Sequence, residues 1–206
     1  MHIKDIHIVI LLADGFEEIE TVVPYDLLVR AGFTVKTISF AKDSLVRGSR
    51  GLEIKADKHK LELDLDKAIQ EGRLPHAVLL PGGLKGTENL AKESEVQKLL
   101  LAMHENNRLI AAICAAPVVV LSPLGILQNT RYTCYPGMEK EIPQYAGSDF
   151  QKLTENTVYE ANERVVQDKN LITSNGPGSA SHFAFAIIEH FAGTELSKSI
   201  AKDSVF

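Results

Sequence analysis

The sequence predicts an α/β protein: a doubly wound, mainly parallel sheet with helices on both faces and a small antiparallel addition. Two observations carry that reading. Apolar runs of strand length lack the in–out alternation of a half-solvated sheet, so they are suited to burial on both faces, as in parallel sheets. These runs alternate along the chain with segments whose apolar residues recur at helical spacing, the order that builds β-α-β units. The 206 residues suffice for one sizeable core, and no linker, internal repeat or low-complexity tract interrupts them, so residues 1–206 read as a single domain.

Residues 6–12 form the first buried strand, and Asp14-Gly15 end it. Residues 17–30 form a helix with Ile19, Val22, Val23 and Leu27 on one apolar stripe, ended by Gly32. Pro24 has no N–H to offer the Glu20 carbonyl, which predicts a bend in that helix. Residues 33–40 are the next strand, residues 50–54 begin a small hairpin or edge excursion, and residues 63–71 are amphipathic.

The second half repeats the alternation. A short strand at 77–80 stops at Pro81-Gly82-Gly83, residues 94–106 are helical, and 109–113 form another strand. A helix begins over 115–121, and 131–135 read as a strand. Residues 164–167 and 171–174 flank Asp168-Lys169-Asn170 as a hairpin. Ala184, Ile187, Ile188 and Phe191 mark a late helix closed by Gly193.

Composition excludes several function classes. The chain is 45% hydrophobic and 24% charged with a formal net charge of −5, which argues against general nucleic-acid binding. No apolar run is long enough to span a membrane. Residues 6–13 are apolar but lead into Asp14-Gly15 and an acidic helix start rather than a small-residue cleavage site, so a cytoplasmic protein is expected. The two cysteines, Cys114 and Cys134, make neither a disulfide framework nor a structural zinc site. None of the seven histidines lies near the motifs described next, and neither a metal nor another cofactor is expected.

In open parallel sheets, ligands bind beyond the carboxyl ends of the strands. Three strand ends carry unusual residues: Ala13-Asp14-Gly15 running into Glu17-Glu18-Ile19-Glu20, the Pro81-Gly82-Gly83 stop, and Ala111-Ala112-Ile113-Cys114-Ala115-Ala116-Pro117. Cys114 sits between a buried strand and a helix with alanines around it, and Pro117 suits a first helical turn. The free amides of Ala115 and Ala116, with the helix dipole, would favour a thiolate and lower its pKa, the plan of a nucleophile elbow. The alternative is a buried, inert cysteine, which is the favoured reading of Cys134.

Gly82-Gly83 adds backbone amides that could hold an oxyanion, or is simply a turn needing positive φ. Glu17 and Glu18 read as first-turn acids that complement the dipole. Glu20, beside the apolar stripe, is either a solvated glutamate or a partly buried one kept protonated for proton transfer.

GFEEIE at 15–20, LLPGG at 79–83, AAICAAP at 111–117 and TSNGPGS at 173–179 stand in the order and spacing of the ThiJ/PfpI superfamily. The chain resembles most the branch containing the parkinsonism-associated protein deglycase and its bacterial chaperone relatives. The resemblance covers nearly the whole chain, with Asp26, Arg30 and Arg50 also at family positions. It implies a flavodoxin-like sandwich, the class I glutamine amidotransferase-like domain, that assembles as a homodimer. It implies Cys114 as nucleophile and redox-sensitive residue with Glu20 hydrogen-bonded to it, and Gly83 and Ala115 as oxyanion donors, with Gly82 beside them. Arg30 and Arg50 would lie near the dimer interface.

Two departures matter. Relatives of the intracellular protease type carry histidine directly after the cysteine, whereas Ala115 stands here, which argues against peptidase activity. The branch often has histidine before the proline after the elbow strand, whereas Tyr135 precedes Pro136 here as a supporting residue and is a poor base near neutral pH. The resemblance therefore implies a glutathione-independent glyoxalase or deglycase acting on methylglyoxal or its early adducts. The alternative is an oxidative-stress sensor or redox-regulated chaperone in which Cys114 becomes a sulfinic acid.

Overall fold

The computed structural model describes residues 2–206. In chain order its elements are β1 (His7–Leu12), α1 (Glu18–Arg30), β2 (Thr34–Ser39), β3 (Leu45–Arg47), β4 (Glu53–Lys55), β5 (Lys58–His59), α2 (Leu65–Gln70), β6 (Ala77–Leu80), α3 (Leu84–Ala91), α4 (Ser94–Glu105) and β7 (Leu109–Ile113). They continue with β8 (Arg131–Tyr132), α5 (Ile142–Ala146), α6 (Phe150–Leu153), β9 (Val158–Tyr159), β10 (Val165–Asp168), β11 (Leu171–Ser174), α7 (Ala180–Ala192) and α8 (Thr194–Asp203).

The main sheet has seven strands in the order β10-β11-β7-β6-β1-β2-β5. All its pairs are parallel except β10 with β11. The flavodoxin-like reading therefore holds. The chain passes from β1 to β2 on one side and then to β6 on the other, so β1 and β6 flank the point where the winding reverses. Two small ribbons stand apart: the antiparallel hairpin β3–β4 and the parallel pair β8–β9.

Period-two geometry explains why β1 lacks a polar face. Ile8, Ile10 and Leu12 point into one core with Leu27 and Leu28 of α1 and Phe183, Ile187 and Ile188 of α7. Leu11 points into the other, with Val96, Leu100 and Met103 of α4. Each of these large side chains, fully buried, contributes about 1.5–3 kcal/mol.

The helix α1 runs unbroken through Pro24. Its stripe differs from expectation. Leu27 is buried and Val23 packs against the core, but Ile19 and Val22 are exposed, and the buried side holds Glu20, Thr21, Pro24, Leu27 and Leu28. Two further expectations change. Only Arg131 and Tyr132 are in a strand, because Thr133 N–H then donates to the Thr173 hydroxyl and Tyr135 N–H to the Cys114 carbonyl. The segment after Cys114 is a buried five-residue π-helical turn over Pro117–Leu121. Its three consecutive valines are weak helix formers. The helices α3, α5 and α6 had no counterpart among the expected elements; the C-terminal helix α8 packs on α7, with Ser197 Oγ donating to the Phe185 carbonyl.

Candidate active site

The carboxyl ends of β1, β6 and β7 lie on one edge of the sheet, as expected, and bring Glu20, Gly82-Gly83 and Cys114 together. Cys114 has φ of +65°, a conformation that non-glycine residues seldom adopt. Its backbone is held on both sides: Cys114 N–H donates to the Ser174 carbonyl at 2.9 Å, and its own carbonyl accepts from Tyr135 N–H at 2.9 Å. The residue is only partly exposed.

Glu20 is completely buried. Its Oε2 accepts the Gly82 N–H at 2.7 Å, while Oε1 is buried without a hydrogen-bond partner. Gly82 is the wall between acid and thiol. A Cβ there would meet Glu20 Oε2 and lie 2.5 Å from Cys114 Cβ and 3.1 Å from Sγ, so only glycine permits the approach. Gly83, at φ of +85°, caps α3, and a Cβ on it would lie 2.8 Å from Glu17 N.

Glu17 does more than complement a dipole. Its side chain caps α1 by accepting Glu20 N–H at 2.8 Å, and its own N–H donates to the Gly82 carbonyl at 3.0 Å. Glu17 thus ties the Glu20 backbone to the segment that Glu20 grips with its carboxyl. No capping-box signature in the sequence marks it, because the N-cap residue is Glu rather than Ser or Thr and the Glu20 carboxyl goes to Gly82.

Burial and then the Glu17 carboxylate push the Glu20 carboxyl up to about 7, against the pull of the Gly82 N–H and the neighbouring thiol. Burial pushes the Cys114 thiol up, and the Glu20 carboxylate raises it further. The nearby Gly83 and Ala115 amides pull the other way without prevailing. The expected lowered thiol is thereby corrected. Two neutral donors and a short π-helical turn do not outweigh desolvation beside an acid. The resting site is a thiol and a carboxyl that titrates near neutrality, with the Gly83 and Ala115 amides close by.

Tyr135 is half exposed and lies alongside the Gly176 turn, tied to the site through its backbone. Arg30 pairs with Asp26 on the exposed side of α1 at 2.6 Å, and Arg50 N–H donates to Glu18 at the start of that helix. Cys134 is fully buried in the core, and burial followed by nearby Glu139 pushes its thiol up to about 12. Both cysteines are free. Among the described residues no cluster of histidine, cysteine, aspartate and glutamate is placed to hold a metal ion, and no helix is long and apolar enough to cross a membrane.

A strained cysteine at a strand end, facing a buried acid at the reversal point of a flavodoxin-like sheet, defines a class of cysteine-centred α/β proteins. Residues 6–190 match the DJ-1/PfpI family, and the chain belongs to it. It is 37% identical over 193 residues to "Protein dj-1beta" of Drosophila melanogaster, covering 94% of this chain and 93% of that one. It is 32% identical over 196 residues to the "Glutathione-independent glyoxalase DJR-1.2" of Caenorhabditis elegans, covering 95% and 93%. Among solved structures, oxidized Toxoplasma gondii DJ-1 superposes with a TM-score of 0.83 at 31% identity, covering 98% of both chains.

Proposed function

We propose that the protein is a cysteine-dependent, glutathione-independent glyoxalase or protein deglycase, with Cys114 as nucleophile and Glu20 as general acid and base. The observation that carries this reading is the fully buried Glu20 carboxyl, which accepts the Gly82 N–H at 2.7 Å, set against the Cys114 thiol on its positive-φ backbone, with burial raising the carboxyl toward neutrality. A proton-transfer group works best with a pKa close to the working pH. The Caenorhabditis elegans relative named as a glutathione-independent glyoxalase adds support.

In the proposed reaction Sγ forms a bond to the aldehyde carbon of methylglyoxal as the Glu20 carboxylate takes the thiol proton. The C=O π electrons move onto oxygen, where the Gly83 and Ala115 amides stabilise the charge until Glu20 returns the proton. Glu20 then removes the hydrogen from that carbon and, through an enediol, delivers it to the adjacent carbon. The product is a lactoyl thioester, and water cleaves its C–S bond to release lactate and the thiol. The oxidation of one carbon balances the reduction of its neighbour, so no external oxidant is needed. The test is lactate formation from methylglyoxal without glutathione. Turnover is expected in the wild type and lost in Cys114→Ala and Glu20→Gln, and turnover retained in Cys114→Ala would overturn the proposal.

A second reading, a redox sensor or redox-regulated chaperone, is favoured by the unpartnered Glu20 Oε1. A protonated Glu20 would have a hydrogen to donate to a sulfinate on Cys114. Intact-mass measurement after limited peroxide separates the readings: a stable gain of about 32 Da that requires Cys114, without methylglyoxal turnover, favours the sensor.

We also take residues 1–206 as one domain that assembles as a homodimer. Ile19, Val22 and Val29 of α1 are 50%, 43% and 45% exposed, an apolar strip flanked by Arg30 and suited to a second copy.

A further inference from the structure

At the amino ends of β1 and β6, on the edge of the sheet away from Cys114, lies a cavity of about 670 Å³. Its volume is within the range of small-molecule pockets. The floor is apolar: Ile38, Leu74 and Leu99 belong to the buried cluster, while Val9 and Leu65 pack against it partly buried. It stays open because α2, the helix on this face, has only six residues, and because β5 pairs only with Ile38 and Ser39.

The polar rim carries two acids and several basic groups. Each acid has one oxygen tied to a local backbone amide: Glu62 accepts the His59 N–H at 2.7 Å, and Asp64 caps α2 by accepting the Lys67 N–H at 3.1 Å. Donors are plentiful. Lys58 lies beside β2 in register with Ile38, two residues from Lys36 on the same edge. Lys36 is held by Asp57 at 3.0 Å, whereas Lys58 has no acidic partner among the described residues. At the other end, His76 Nδ1 accepts the His7 N–H at 3.0 Å, which leaves Nε2 as the N–H donor of the neutral ring.

We infer that this cavity is a second ligand site, separate from Cys114, that takes a small amphipathic carboxylate. The apolar body rests on Val9, Leu65 and Leu74, and the carboxylate meets the Lys58 ammonium with Lys36 beside it. An apolar floor disfavours a small hydrophilic anion, and the Lys58 ammonium, which has no acidic partner among the described residues, selects a negative head over a neutral one.

Titration calorimetry with octanoate, and with octanamide as the uncharged isostere, tests this on the full chain. Octanoate is expected to bind saturably with a dissociation constant of about 1 mM or below, the scale for a ligand of this size. Octanamide is expected at least about tenfold weaker, the loss of one charge-assisted contact. Lys58→Glu should weaken octanoate by a similar factor. Ala68→Phe, which places a ring in the cavity from α2, should abolish binding. Circular dichroism and an unchanged rate of Cys114 alkylation show that both variants remain folded. Absence of saturable binding, equal affinity for octanamide, indifference to both substitutions, or binding blocked by alkylation of Cys114 would each overturn the inference.

Discussion

Replacing Glu20 by glutamine removes a titration while keeping the side chain's shape and an oxygen to accept the Gly82 N–H. In the folded protein the Glu20 carboxyl titrates at about 7, against 4.5 for an ordinary glutamate. Folding therefore favours the protonated form. Stability from this group is fully present below pH 4.5 and is lost as pH rises through 7, because above that pH folding must bury a carboxylate. At about 1.36 kcal/mol per pH unit, the interval amounts to about 3 kcal/mol, most of it between pH 5 and 8. Urea unfolding of wild type and Glu20→Gln across that range measures it. The stability difference, wild type minus variant, is expected to fall by about 2–3 kcal/mol from pH 5 to pH 8 and then level off. Parallel curves, or a difference that rises with pH, would refute a buried, proton-holding Glu20 and remove the basis of the acid–base role proposed for it.

Glu17→Gln keeps an oxygen for the Glu20 N–H but removes the neighbouring charge, so the midpoint of that stability curve should move below about 7. Gly82→Ala forces a methyl group against both Glu20 and Cys114. A loss of about 1–3 kcal/mol in urea unfolding and a drop of at least about tenfold in methylglyoxal turnover are expected. Cys134→Ser buries a hydroxyl in the core and should cost about 1–3 kcal/mol while leaving the uptake of oxygen from peroxide intact; Cys114→Ser should do the reverse.

The strands and the principal helices were legible because their signals are local. The unbroken apolar run of β1 requires cover on both faces, and the alternation of such runs with helical stripes leaves little besides a doubly wound sheet. Parallel strands then put Gly15, Gly82-Gly83 and Cys114 on one edge without coordinates. The misreadings share a cause. The apolar stripe of α1 suggests core at Ile19 and Val22, yet both are exposed, and the buried side instead holds Glu20, whose carboxyl accepts the Gly82 N–H. Residues 133–135 read as strand, but their N–H groups find a threonine hydroxyl and the Cys114 carbonyl, partners remote in sequence.

Residue order alone indicated the parallel sheet and put Cys114, Gly82-Gly83 and the start of α1 at one edge of it, while the local pattern left Cys114 open between a reactive and an inert cysteine. The tertiary structure decided the protonation of that site. Amides beside a cysteine argue for a thiolate wherever solvent is near, and nothing local in the chain reports that Glu20 is fully buried. Desolvation depends on everything packed around a group, from helices and strands far apart in sequence. It outweighs two neutral donors, so the site rests as a thiol beside an acid poised near neutrality.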